Sequence, residues 1–489
     1  MSLSSLLDHL KQTAALSQAA GLLSWDQETM MPRRGGSVRA EQMGALAQVI
    51  HERKSDERIA DWAATIDRDA LSSFDLRNLE EALRAHRKAT KIPSRLAEAE
   101  AVAASEGQRI WAEARAAKDF SIFAPALTRN LALKRERAAC LSEDGDDPYD
   151  CLLDDFEPGA RVATLKPLLT SMRGRLRALI EAIAERPQPR ALSGQFPAAT
   201  QLALAERIAR QIGYDFEAGR LDTAAHPFSS GTVGDARITT RTDEANPLDC
   251  IYSTIHEVGH ALYTDGATDP FLPAAAYCSM GVHESQSRFW ENQIARSRPF
   301  ADWLYPAMAE SFGTLNLDGP DALFAAVNRV ETGFIRTEAD ELHYNLHILL
   351  RFELEHELIS GALAVEDLEE AWNTRFERDF GVAVPDAARG VLQDVHWSVG
   401  LFGYFPTYSL GNIYAACLNN ALRAALPDAD DMVRRAETAP ILDWMRSNIH
   451  ARGRLVAAEK LIEDATGEPP TTEPLLGYLE HKFGALYSL

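Results

Sequence analysis

The chain has 489 residues, 46% hydrophobic and 25% charged, the composition of an ordinary globular protein with material for a large core. Its 72 acidic residues outnumber its 50 basic ones, for a net charge of -22. That field repels phosphate backbones and anionic lipid heads, so nucleic acid and membrane surfaces are excluded as expected partners.

At the N-terminus, no basic region precedes an apolar stretch, and Asp8 and Lys11 interrupt the first segment, so no signal peptide is expected. No run of about 18 apolar residues occurs, so no membrane-spanning helix is expected either. Apolar residues then recur three and four apart among Ala, Leu, Glu and Arg. This spacing predicts helices over 6–23, 75–91, 94–117, 160–184 and 200–212. Between the last two, 187–197 holds three prolines and a glycine and reads as a loop. The stretch 226–242, "HPFSSGTVGDARITTRT", differs. Gly231 and Gly234 mark a turn and 237–242 is rich in β-branched residues, so a small hairpin is expected. Helical periodicity returns afterwards and is broken by a Gly- and aromatic-rich loop over 400–412. With no internal repeat, the chain reads as one domain over 1–489. Its helical N-terminal part is 1–220. The part 221–489 carries the hairpin, the motif described next and a further segment over 390–412. The five cysteines, Cys140, Cys151, Cys250, Cys278 and Cys417, contain no C-x-x-C pair. Their odd number argues against a disulfide framework and points to a reducing cytoplasm.

Residues 256–260 read "HEVGH". Positions i and i+4 share a helix face, so His256 and His260 can aim imidazole nitrogens at one ion. Zinc suits such ligands, and three protein ligands leave a position for water. Glu257 lies beside them and can take a proton from that water and pass it to a leaving amine. Gly259 costs about 0.5–1 kcal/mol of helix stability relative to Ala, which predicts close backbone packing there. For the third ligand the acidic candidates are Asp265, Asp269, Glu284 and Glu291. Glu284, in "HESQSRFWEN", leaves room for a turn and a return helix and suits the two-His-plus-Glu class. Asp265, one turn past His260, is placed either to hold an imidazole or as a solvated carboxylate. His343 and His347 repeat the i, i+4 spacing, but Tyr344 stands where a base is needed. They read as helix-face residues rather than a second centre.

Several further segments occur together: "WDQETMMP" (25–32), "RAEQ" (39–42), "HPF" (226–228), "DARIT" (235–239), "HESQ" (283–286), "IRTEAD" (335–340) and "GVLQDVHW" (390–397). With "HEVGH" and in this order, they resemble the carboxypeptidase Taq family of zinc metallocarboxypeptidases over essentially the whole chain. The resemblance implies a mainly α, two-lobed metallopeptidase with a deep central groove and one small β-sheet beside the motif helix, and a substrate-binding role for the segment over 390–412. It implies removal of single C-terminal residues from peptides with broad specificity, proline disfavoured. It further implies one zinc (or cobalt) ion per chain, peptide partners with a free C-terminus, and a homodimer.

Carried over by residue, His256, His260 and Glu284 match the metal ligands and Glu257 the general base. His396 and Tyr408 match groups that bind the substrate carbonyl and its oxyanion, with Tyr404 the alternative for Tyr408, and His226 is a further substrate-binding candidate. An exopeptidase must also hold a carboxylate, for which the planar fork of Arg is suited. Arg336 is the first candidate, with Arg237 and Arg351 behind it. The rival readings are an endo-acting oligopeptidase on the same scaffold, a noncatalytic peptide-binding protein and a metal-free helical scaffold. The presence of Glu257 argues against the noncatalytic one, because a structural metal site needs no base.

Overall fold

A computed structural model describes residues 2–143 and 145–489. The protein is mainly α-helical, with one three-stranded sheet among the described residues. No helix among these residues is long and apolar enough to cross a membrane. The chain divides into two compact units. One comprises Met1–Thr90, Pro189–Asn328 and Tyr414–Pro470, the other Lys91–Gln188, Arg329–Ile413 and Thr471–Leu489.

In the first unit, the predicted helix over 6–23 extends to Ser2–Thr29 and packs on Gly36–Lys54. The helix over 200–212 is observed as Ala198–Ile212, and it ends where Gly213 takes a left-handed conformation (φ 110°). Its buried face of Leu204, Ala205, Ile208 and Ile212 packs on the Pro247–Asp265 helix, which carries the motif. The expected hairpin is present as β2 (Ser229–Thr232) antiparallel to β3 (Asp235–Thr240), following β1 (Leu221–Thr223). β1 was not legible in the sequence. It is three residues long, too short for alternation to register, and it pairs in parallel with β3, Leu221 opposite Ile238. The sheet lies against the motif helix: Thr240 Oγ1 donates to Cys250 O (3.2 Å), and Thr254 Oγ1 donates to Thr240 Oγ1 (2.9 Å).

In the second unit, Ser94–Ala117 has its predicted bounds and packs on Phe120–Leu141. Lys118 turns the chain between them at φ 58°, and Asp119 caps the second helix by accepting from Ser121 N. The expected 160–184 helix is interrupted at Ser171 into Val162–Thr170 and Met172–Ala184; Pro167, which lacks an N–H, precedes the break. The Glu341–Ser360 helix is buried nearly all round, as a core helix is. The expected loop over 400–412 stops short. From Pro406 the chain is helical through Ala425, because proline in the first turn has the φ a helix needs and no N–H to waste there.

Candidate metal centre and active site

Pro247 opens the motif helix at its first turn, and Cys250, Ile251, Ile255, Val258 and Leu262 bury its inner side. The chain leaves at Asp265 and returns through the Met280–Arg288 helix, capped by Ser279 Oγ, which accepts from Val282 N (3.0 Å). The two helices meet at Gly259. A Cβ there would stand 2.6 Å from both Gln286 O and Ser287 Cα, so the cost of glycine in a helix is offset by the approach it allows. Gly259→Ala is therefore expected to lower stability by about 1–3 kcal/mol, the range of overpacking against backbone that cannot rotate away. It should also weaken metal binding. Thermal unfolding and a metal titration read the two effects; no change in either would mean that the return helix shifts freely.

That approach brings Glu284 to the imidazoles. Its Oε2 lies 3.6 Å from His256 Nε2 and 3.4 Å from His260 Nε2. These residues form the one three-ligand grouping among the described residues. The remaining ring nitrogens are already used. His260 Nδ1 donates to His283 O (3.0 Å), and His256 Nδ1 donates to Glu291 Oε2 (2.9 Å). A carbonyl can only accept, so His260 carries its proton on Nδ1 and presents a lone pair from Nε2. A divalent ion can take all three donors at once, so it fits these residues.

Glu284, Arg288 and Glu291 stand at i, i+4 and i+7. Arg288 donates to Glu284 Oε1 (2.7 Å) and Glu291 Oε2 (3.3 Å), and Arg296 donates to Glu291 Oε1 (3.1 Å). Residues Phe289–Ala295 form a π-helical turn, a widening often found at functional sites. Burial opposes charge on both glutamates, but Arg288 and the imidazoles outweigh it and hold both carboxyls well below the usual range. Glu257 is 6% exposed, and burial pushes its carboxyl up despite the pull of His256 and His260. Burial, helped by His260, drives His283 well below the usual imidazole range, so it stays neutral in its stack on His260 (4.5 Å between centroids).

Asp265 does not hold an imidazole. It accepts from Gly234 N (2.9 Å) and ties the β2–β3 turn to the helix. Glu291 fills the role instead. The i, i+7 relation to Glu284 was the signal for it in the sequence, and it counts only once Glu284 is known to face the motif helix. His343 and His347 are buried. His343 pairs with Asp340 (2.7 Å), and His347 packs on Phe376 and Phe380.

The other expected site residues fall in two places. His226 is exposed in the connection between β1 and β2. Arg237, on β3, pairs with Asp235 (2.7 Å) and lies over the Trp25 ring at 4.4 Å. In the second unit, His396 Nε2 is 3.3 Å from Tyr408 Oη, and its ring packs against Phe405 and Tyr404. Burial, with Arg336 and Arg351 near, brings the His396 pKa down to about 3 despite Asp394, so this imidazole is neutral at physiological pH. Arg336 is 5% exposed and committed. Its Nε and Nη2 donate to Asp394 Oδ1 (3.0 and 2.9 Å), and its Nη1 donates to Tyr344 Oη (3.1 Å). Arg351 takes the other oxygen of Asp394 through Nε (2.7 Å) and Nη2 (2.5 Å). Sequence spacing could not reveal this clamp, because the pairing is long-range.

A family model described as the carboxypeptidase Taq (M32) metallopeptidase matches residues 5–483. The thermostable carboxypeptidase 1 of Thermus thermophilus is 43% identical over 99% of this chain and 98% of its own. Carboxypeptidase 1 of Bacillus subtilis is 35% identical over 99% and 98%. Among solved structures, an M32 carboxypeptidase from Deinococcus radiodurans R1 superposes with a TM-score of 0.95 at 36% identity, covering 100% of both chains. Metallocarboxypeptidase 1 of Trypanosoma cruzi gives 0.95 at 31%, covering 99% of both.

Proposed function

The chain belongs to the carboxypeptidase Taq (M32) metallopeptidase family, and from that premise we propose that it releases single residues from peptide C-termini at a zinc ion held by His256, His260 and Glu284. That it is a peptide hydrolase of the metallocarboxypeptidase kind follows from the family itself. The observation that carries the finer reading is the convergence of two tautomer-fixed imidazoles and one carboxylate. Zinc takes such a donor set, and ligands about 2.0–2.2 Å from a tetrahedral ion stand about 3.4 Å apart, near the observed 3.4 and 3.6 Å. Cobalt(II) suits the same ligands.

A divalent ion there supplies polarisation of the scissile carbonyl and makes water a nucleophile at neutral pH. Glu257 accepts the proton of the attacking water on its carboxylate and delivers it to the leaving amine nitrogen. His396, neutral, and Tyr408 donate to the oxygen on which charge develops, the Tyr408 hydroxyl being held beside His396 Nε2. Tyr404 packs this pair from one side. His226 takes part in substrate binding. Specificity is broad, with C-terminal proline disfavoured. The working form is a cytoplasmic homodimer, a location in keeping with five cysteines that form no disulfide among the described residues.

For the substrate carboxylate, energetics favour Arg237 over Arg336. Drawing Arg336 away would strip a buried carboxylate of a partner, a change costing about 3–5 kcal/mol. Arg237 leans on Asp235, whose side chain is 47% exposed, and exchanging one exposed partner for another costs about 0–1 kcal/mol. Arg336 instead braces Tyr408, lying 4.7 Å from its ring. The test is digestion of peptides with free and amidated C-termini, read by mass spectrometry. The free peptides should shorten one residue at a time while the amidated ones persist; internal cleavage of the amidated set would sink the exopeptidase reading. Arg237→Lys should lower kcat/KM on free peptides by about 10–150-fold, the loss of a bidentate charged pair worth about 1.5–3 kcal/mol. An equal loss on any residual amidated cleavage would move Arg237 to a structural role.

A further inference from the structure

Glu355 lies on the Glu341–Ser360 helix with 0% exposure and has none of the roles assigned above. Three donors reach its two oxygens. Trp397 Nε1 donates to Oε1 (2.6 Å), while Gly403 N (2.9 Å) and Tyr149 Oη (2.5 Å) donate to Oε2. An ionised carboxylate accepts all three. A proton on Oε1 would set an O–H against the Trp397 N–H, and one on Oε2 would take an acceptor from Gly403 or Tyr149.

Two of these donors are neighbours of site residues: Trp397 follows His396 and Gly403 precedes Tyr404. The segment between them is also held from outside. Asn130 Nδ2 donates to Trp397 O (3.0 Å) and Ser398 O (2.8 Å). Gly403, at φ 88°, seats so closely that a Cβ would stand 2.6 Å from Leu152 C and O. Glu355 grips both ends of the segment, accepting from Trp397 Nε1 at one and from Gly403 N at the other.

We propose that Glu355 is a positioning residue for this loop, its carboxylate fixing where His396 and Tyr404 stand relative to Tyr408. The proposal rests on the reading of His396 and Tyr408 as substrate-handling groups. Burial pushes the Glu355 carboxyl up to about 7, against the pull of Tyr149, Gly403, Trp397 and Arg351. The grip is therefore made above that pH and loosened below it. The charged groups around it are otherwise engaged. Arg351 is paired with Asp394 and Asp147 with His356. Arg135 donates to Leu358 O, Arg173 pairs with Glu353, and Arg375 pairs with Glu357.

The test compares kcat–pH profiles of the zinc-loaded wild type, Glu355→Gln, Tyr149→Phe and Tyr408→Phe. The wild type should show an acid limb near pH 7. Tyr149→Phe, which removes a donor that favours the ionised form, should move that limb to higher pH with zinc content unchanged. Glu355→Gln should remove the limb and lower kcat by about 10–100-fold, the cost of misplaced groups, with a smaller change in KM. A Tyr149→Phe limb that stays in place, or a Glu355→Gln enzyme with wild-type kcat, overturns the proposal. If Glu355→Gln does not fold, the Tyr149→Phe shift decides alone. Lost turnover in Tyr408→Phe beside an unmoved Tyr149→Phe limb defeats the Glu355 role only. Full turnover in Tyr408→Phe defeats the underlying reading of the loop.

Discussion

Glu257→Gln should keep its metal and lose turnover by about 10²–10⁴-fold, the range a positioned general base supplies. The amide has the same shape and can still accept a hydrogen bond, but it cannot take the proton of the attacking water. Glu257 follows the proposed ligand His256 on a helix fixed from behind by buried Ile255 and Val258, so substitution should leave that backbone in place. Burial pushes the carboxyl up, and a carboxylate with a raised pKa is a stronger base. The loss should fall on kcat with little change in KM, because the interaction lost belongs to the transition state. Glu257→Asp, which keeps the carboxylate but withdraws it by one methylene, should lie between. Metal content and turnover measured on the same preparation decide the matter. Near-normal turnover in metal-loaded Glu257→Gln would place the base elsewhere.

The sequence disclosed what local spacing encodes. His256 and His260 share a face because of their i, i+4 relation, Gly259 implied the close approach later found against Gln286, and the glycines at 231 and 234 marked the β2–β3 turn. What it hid depends on partners distant along the chain. β1 is a strand only because β3 lies beside it. Asp265 could have served an imidazole or the solvent, and the fold gave it a backbone N–H of the hairpin instead. Arg336 looked available because the carboxylate that pairs with it is distant along the chain. Asp394 accepts from its Nε and Nη2, with Arg351 on the other oxygen, and Tyr344 Oη accepts from its Nη1. A charged residue in a motif thus carries two readings, contact with substrate or support of a neighbour, and burial separates them.

Glu284 and Glu291 both reach His256, but from opposite ring nitrogens. Glu284 faces the lone-pair side with His260, whereas Glu291 takes the Nδ1 proton and orients the ring. Removing an orienting partner typically costs about 10–100-fold in metal affinity, so Glu291→Gln should fall in that range. Glu284→Gln should cost more than ~100-fold, beyond that range, because it removes the one carboxylate of the proposed ligand set. It also leaves Arg288, which now donates to that carboxylate at 2.7 Å, facing a neutral amide beside the cation. Both variants keep the side-chain volume, so helical circular dichroism of the metal-free proteins should match the wild type. Competition with a chelator of known affinity gives the two constants. Undiminished affinity in Glu284→Gln would remove it from the ligand set, and a larger loss in Glu291→Gln than in Glu284→Gln would make Glu291 the ligand and Glu284 its support.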